Sequence, residues 1–219
     1  PQVSLLPDLA ALAGEQTNPP TIQEETVRDL LLQLDCHKSK GPDEIHLRVL
    51  RELVEVIAEQ LSIIYQHSLL TGEVPEDWRL ANVTPIYMKG CQEDSGNYRP
   101  VRLTLVPGKV MEKIVLREIT QHVRDNWGIR PTQHEFMKGR SCLTNLISIY
   151  DPVTLLIDEG KVVDVVYLDF SKGFDTVSHS ILLQKLTVRG LDRCTLGWVR
   201  NWLEGWAQRV MVNGVKPSW

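Results

Sequence analysis

Residues Val162 to Leu168 read Val-Val-Asp-Val-Val-Tyr-Leu, and the run ends on a carboxylate, Asp169. β-branched and aromatic side chains at this density predict a buried strand, here a central strand over 162–170 with Asp169 at its end. A short connection, Ser171-Lys172-Gly173-Phe174-Asp175, precedes a helical pattern from Ser178. Strand, acid and then helix is how an α/β core presents a charge at the carboxyl edge of a sheet. A carboxylate so placed can hold a divalent metal, with the backbone carbonyl of Phe170 as a second oxygen ligand. It can equally be an ordinary aspartate at a strand–helix turn, and one acid alone is a weak motif.

The flanking segments predict a mixed α/β (α+β) chain. Residues 1–20 are a Pro- and Gly-punctuated, flexible lead-in. Thr21 and Glu24 have the spacing of a capping box for a helix over 21–35. Lys38-Ser39-Lys40-Gly41-Pro42-Asp43 is a basic turn, with Asp43 placed to cap a long helix that ends near Gly72. Asn82–Tyr87 and Tyr98–Leu105 predict a hairpin around a polar turn. Pro107 and Gly108 open a helix to about Val123, with Met111, Val115 and Ile119 on one face. The helix from Ser141 to Glu159 contains Pro152, which should kink or divide it at a cost of about 3 kcal/mol. A helix over 178–189 stops at Gly190, Asp192 caps another, and Asn213-Gly214 predicts a type I′ turn near the end.

The net charge of −4, from 24 basic and 28 acidic residues, does not itself advertise a nucleic-acid partner. The positive charge is unevenly placed, however. Arg99, Arg102, Lys109, Lys113 and Arg117 form one basic stretch, Lys138 and Arg140 a second, and Lys38 and Lys40 a third. These are either solvated surface or phosphate contacts. Cys36, Cys91, Cys142 and Cys194 have neither disulfide nor zinc spacing, so reduced thiols are expected. No signal peptide or membrane span is read.

Five segments occur in one order. They are Lys40-Gly41-Pro42-Asp43; Gly72-x-Val74-Pro75-x-x-Trp78; Tyr98-Arg99-Pro100-Val101; Gln133-His134-x-Phe136-x-Lys138-Gly139-Arg140-Ser141; and Tyr167-Leu168-Asp169-Phe170-Ser171-Lys172-x-Phe174-Asp175. Together they resemble the reverse transcriptase of non-LTR retrotransposons, of the jockey-like and chicken-repeat groups, from about Thr21 to Trp219.

The resemblance implies fingers over about 21–140 and the first part of a palm over about 141–219 of a right-hand polymerase. It implies an RNA template, a DNA primer, dNTP and Mg²⁺ or Mn²⁺, with two ions about 3.5–4 Å apart. Asp169 matches the first metal-binding aspartate and Phe170 the backbone ligand. Arg99 matches the triphosphate clamp, Lys89 is a second phosphate candidate, and Phe174 matches the residue that excludes a ribose 2′-hydroxyl. Lys40, Gly41, Pro42 and Asp43, with Gln133, Lys138, Gly139 and Arg140, match segments near the template and primer backbones. A protein of this kind works inside the cell, in nucleus or cytoplasm.

The chain also departs from the pattern. Glu44 and Glu135 stand where the family usually has Gly, Met88 where it has Lys, Arg102 where it has Ser, and Gly173 where it has Ala. The family's paired-aspartate turn has no counterpart, because no two aspartates are adjacent in the 219 residues. Asp164, five residues before Asp169, would point to the opposite face of a strand. The expectation is therefore a chain without polymerase activity alone. Two other classes compete. A non-enzymatic nucleic-acid- or protein-binding module would reuse the same basic segments. An aspartyl-phosphate phosphohydrolase would want a second acid where Ser171 stands.

Overall fold

The computed structural model describes residues 18–170, 173, 176–212, 215, 217 and 218. In chain order its elements are α1 (Glu24–Leu32), α2 (Leu47–Glu52), α3 (Val54–Thr71), β1 (Leu80–Tyr87), β2 (Tyr98–Thr104), α4 (Val106–Asn126), α5 (Cys142–Asp158), α6 (His179–Val188), α7 (Arg193–Leu203) and β3 (Ala207–Val210). This is an α+β arrangement in two compact units. One runs to Ile119 and resumes at Ser178; the other is Thr120–Val177.

In the first unit, Val27 and Leu31 lie one helical turn apart on α1 and are fully buried. The expected Thr21 cap is not used. The Ile22 N–H donates instead to Gln66 Oε1 on α3 at 2.7 Å, and Gln23 becomes the extended residue before the helix. The long helix expected from Leu47 is divided at Leu53, whose ψ of 9° leaves the helical region. Asp43 does not cap it either. Its Oδ1 accepts from the Ile45 N–H at 3.2 Å in a local turn, and His46 caps α2 through Nδ1. Gly72, at φ +72°, ends α3 in the left-handed conformation as expected.

The core of this unit gathers Val27, Leu31, Tyr65, Leu69, Val110, Met111 and Trp198. Trp78 meets Tyr65 edge to face at 5.5 Å, and the Tyr65 hydroxyl donates to the Pro107 carbonyl at 2.9 Å. Met111, Val115 and Ile119 share the inner face of α4, as their spacing predicts. Asp192 caps α7 by accepting from the Thr195 N–H at 2.8 Å. The sheet has the order β2-β1-β3. β1 and β2 form the expected antiparallel hairpin, and β3 joins the other edge of β1 in parallel. Of the expected turn beyond β3, Asn213 and Gly214 lie outside the described residues. Val212 and Val215 exchange hydrogen bonds across it.

In the second unit, α5 begins on a capping box. Ser141 Oγ accepts from the Thr144 N–H, and Thr144 Oγ1 accepts from the Ser141 N–H. Pro152 does not divide this helix, which runs unbroken from Cys142 to Asp158. Proline removes one backbone donor, and the carbonyl of Ser148 that loses it belongs to an exposed residue that water can satisfy.

The predicted central strand is not formed. Residues 161–170 are irregular, and Val162, Val166, Tyr167, Leu168 and Phe170 are each 78–94% exposed. β propensity needs a neighbouring strand to take the backbone N–H and C=O groups. Both edges of β1 are occupied, and no described strand pairs with 162–170. No helix among the described residues is long and apolar enough to cross a membrane. All four cysteines are free thiols.

Candidate active site

The hairpin settles the placement of Arg99. It pairs with Ile86, one step from the Tyr87–Tyr98 pair at the tip end of the ladder, and it is exposed. The tip is held by its own hydrogen bonds. Met88 N–H donates to the Asn97 carbonyl at 2.9 Å, Tyr87 hydroxyl to the Gly90 carbonyl at 2.6 Å, and Tyr98 hydroxyl to the Gln92 carbonyl at 2.9 Å. The two tyrosines meet edge to face at 5.6 Å. Lys89 lies in the exposed bend just past β1, so both phosphate candidates stand at one end of a braced hairpin.

At the opposite end of β2, about 17 Å away at strand rise, sits the basic turn. Gly41 is buried there, and a β-carbon on it would come within 2.8 Å of the Thr104 carbonyl oxygen. Lys40 and Asp43 are exposed and Pro42 is half-buried. The Glu44 N–H donates to the Gly41 carbonyl, and Glu44 adopts φ +60°. This is one of the positions where the sequence pattern calls for Gly. Burial holds the Lys109 ammonium below its ordinary range; Glu112 opposes the shift, Lys38 adds to it and Asp43 opposes it. Lys38 and Lys109, far apart in sequence, therefore share one electrostatic neighbourhood. The sequence places them in two separate basic stretches, and only the fold of the turn against the start of α4 unites them.

The second group lies in the second unit. Gln133, Lys138, Gly139 and Arg140 are exposed in one short segment. Gln133 Nε2 donates to the Glu135 carbonyl at 3.2 Å, the Arg140 N–H donates to the Met137 carbonyl at 3.2 Å, and Gly139 takes φ +80°. His134 is buried, at 6% exposure, with Nδ1 at 3.0 Å from Thr144 Oγ1. Asp169 and Phe170 are exposed on the irregular segment rather than at a strand end. Phe174 and Asp175 lie outside the described residues.

A divalent ion takes several oxygen ligands. Asp169 supplies one carboxylate, and no cluster of three or more His, Cys, Asp or Glu suited to a metal exists among the described residues. These residues do not by themselves fit a metal ion. What the described residues present is exposed positive charge: the Arg99 guanidinium and Lys89 on a braced hairpin, and Lys138 and Arg140 in a segment that leads into the capped start of α5.

The family model for reverse transcriptase (RNA-dependent DNA polymerase) matches residues 89–219. The chain is similar to the Retrovirus-related Pol polyprotein from type-1 retrotransposable element R1 of Bradysia coprophila, 28% identical over 170 residues, covering 77% of this chain and 17% of the relative. It is similar to the RNA-directed DNA polymerase from mobile element jockey of Drosophila melanogaster, 26% identical over 195 residues, covering 89% of this chain and 21% of the relative. The corresponding polyprotein of element R2 from Popillia japonica is 28% identical over 134 residues, covering 61% of this chain and 18% of that relative. The chain thus spans about a fifth of the length of these relatives. With five motifs in order and a family match over more than half its length, the chain belongs to the reverse transcriptase (RNA-dependent DNA polymerase) family, in the non-LTR retrotransposon group.

Proposed function

We propose that this chain is part of an RNA-directed DNA polymerase, with about 21–140 serving as fingers and 141–219 opening the palm. The observation that carries the reading is the family match over 89–219, because one span holds Arg99, the Lys138–Arg140 segment and Asp169. In this reading Arg99 takes the triphosphate of an incoming dNTP with its planar fork, and Lys89 adds charge from the hairpin tip. Lys40, Gly41, Pro42 and Asp43 with Gln133, Lys138, Gly139 and Arg140 hold the RNA template and DNA primer through their backbones. Phe174 screens the sugar. Asp169, with the Phe170 carbonyl, contributes one side of a site for Mg²⁺ or Mn²⁺ that needs further carboxylates. Action on a nucleic-acid template places the protein inside the cell, in nucleus or cytoplasm.

The test is binding of a labelled RNA-template/DNA-primer duplex across a salt series, with primer extension in parallel. The logarithm of affinity should fall linearly with the logarithm of salt, and Lys138→Ala with Arg140→Ala should flatten that slope by about one for each phosphate no longer neutralised. Affinity indifferent to salt and to both substitutions would sink the reading. No extension is expected from this chain alone, since the 219 residues hold no paired aspartates. Extension that vanishes in Asp169→Ala would overturn that expectation.

A further inference from the structure

Among the described residues of the second unit, His134 alone is buried. That position is polar, while every large apolar side chain around α5 and the 162–170 run is left exposed or half-exposed. A ring held this way calls for a specific hydrogen-bonding account.

The proton count supplies one. Thr144 Oγ1 has one proton and two lone pairs. It accepts from the Ser141 N–H at 2.9 Å and lies 2.9 Å from the Ser141 carbonyl, to which it can donate. The remaining lone pair faces His134 Nδ1 at 3.0 Å. If Nδ1 carries the proton, all three hydrogen bonds are satisfied, and the only orphan is a lone pair on Nε2, which is buried without a partner. The other tautomer would bury an N–H donor at Nε2 with no acceptor, the costlier orphan.

We propose that His134, held as the Nδ1–H tautomer, is a positioning residue that pins the basic segment Lys138–Arg140 to the first turn of α5. The pin works through Thr144: the same hydroxyl closes the capping box with Ser141, the residue that follows Arg140. One imidazole thus fixes both ends of a short loop, one at residue 134 and the other at 141. The pin is a property of the fold; its use in holding nucleic acid rests on the function proposed above.

The experiment uses the full chain and two readouts that need no nucleic acid. The first is ¹⁵N NMR of the His134 ring in the wild type. A proton on Nδ1 is expected; a neutral ring protonated on Nε2 overturns the proposal even if no variant folds. The second is hydrogen exchange at the Ser141 and Thr144 amides. His134→Phe and His134→Gln should speed exchange by about fivefold, the loss of one ordinary hydrogen bond. His134→Asn, whose amide donor falls where Nδ1 was, should stay close to wild type. Equal protection in all four proteins overturns the proposal. Duplex affinity is then compared between wild type and His134→Phe. Faster exchange with unchanged affinity supports the pin and counts against the nucleic-acid role of the segment, so the two ideas fail separately.

Discussion

The indole Nε1 of Trp198 donates to Ser68 Oγ at 3.0 Å, joining α7 to α3 across 130 residues of chain. Ser68 passes its own proton to the Glu73 carbonyl at 2.6 Å, so one buried hydroxyl satisfies two groups. Ser68→Ala would leave the indole N–H without its acceptor and the Glu73 carbonyl without its donor. The variant should lose about 1–3 kcal/mol, read as a lower urea midpoint. A midpoint equal to wild type would show that water replaces the hydroxyl at no cost.

Two neighbouring positions in the basic turn should respond in opposite directions. Glu44 sits at φ +60°, where glycine lacks the steric penalty of a side chain. Glu44→Gly should stabilise the protein by about 0.5–1 kcal/mol, the left-handed penalty less the added chain entropy. Gly41→Ala should destabilise it by about 1–3 kcal/mol, because the new methyl meets the Thr104 carbonyl and the Leu105 backbone. Denaturant unfolding of both variants checks the signs.

Tyr65 gives a pH dependence of definite sign. Burial pushes its phenol well above the ordinary value of 10.0. The unfolded state therefore releases this proton first as pH rises, while the folded state keeps it. Stability contributed here is whole below about pH 10 and falls above it. Tyr65→Phe should lose about 1 kcal/mol at neutral pH through the hydrogen bond to Pro107. It should also show a shallower alkaline decline than wild type. An equally steep decline would assign that titration to other groups.

Pro152 lies in the interior of an unbroken, solvent-facing helix, so its cost is carried rather than relieved by a break. Pro152→Ala restores the donor to the Ser148 carbonyl and should raise the stability of α5 by up to about 3 kcal/mol. Slower amide exchange across residues 148–156 is the measurement; unchanged exchange would mean that the proline costs the helix nothing.

Short-range chemistry was legible in the residues. Helices begin just after Ser141 and Ser178, Asp192 caps the helix it precedes, Gly72 stops α3, and the apolar face of α4 is the one its spacing implies. The hairpin carrying Arg99 was legible too, because two β-rich runs flank a polar turn. The 162–170 run misled because pattern reports what a segment can pair with, not whether a partner lies beside it. Asp43 looked like a cap but bonded two residues ahead, leaving the role to His46. The nearness of Lys38 to Lys109, the burial of His134 and the parallel seat of β3 depend on distant chain segments meeting, and local spacing does not encode that.

The seating of β3 has a kinetic side. Asn82 and Arg209 face each other in the register and are joined side chain to side chain at 2.8 Å, 127 residues apart. β2 follows β1 within a hairpin loop and can zip onto it early. The parallel partner is made much later, since a ribosome adds about 5–20 residues per second. For several seconds of synthesis the second edge of β1 is an open row of donors and acceptors, free to accept any other strand. Nascent copies of this chain should therefore be most prone to pair wrongly, or to recruit a chaperone, in the interval between the emergence of Tyr87 and that of Ala207.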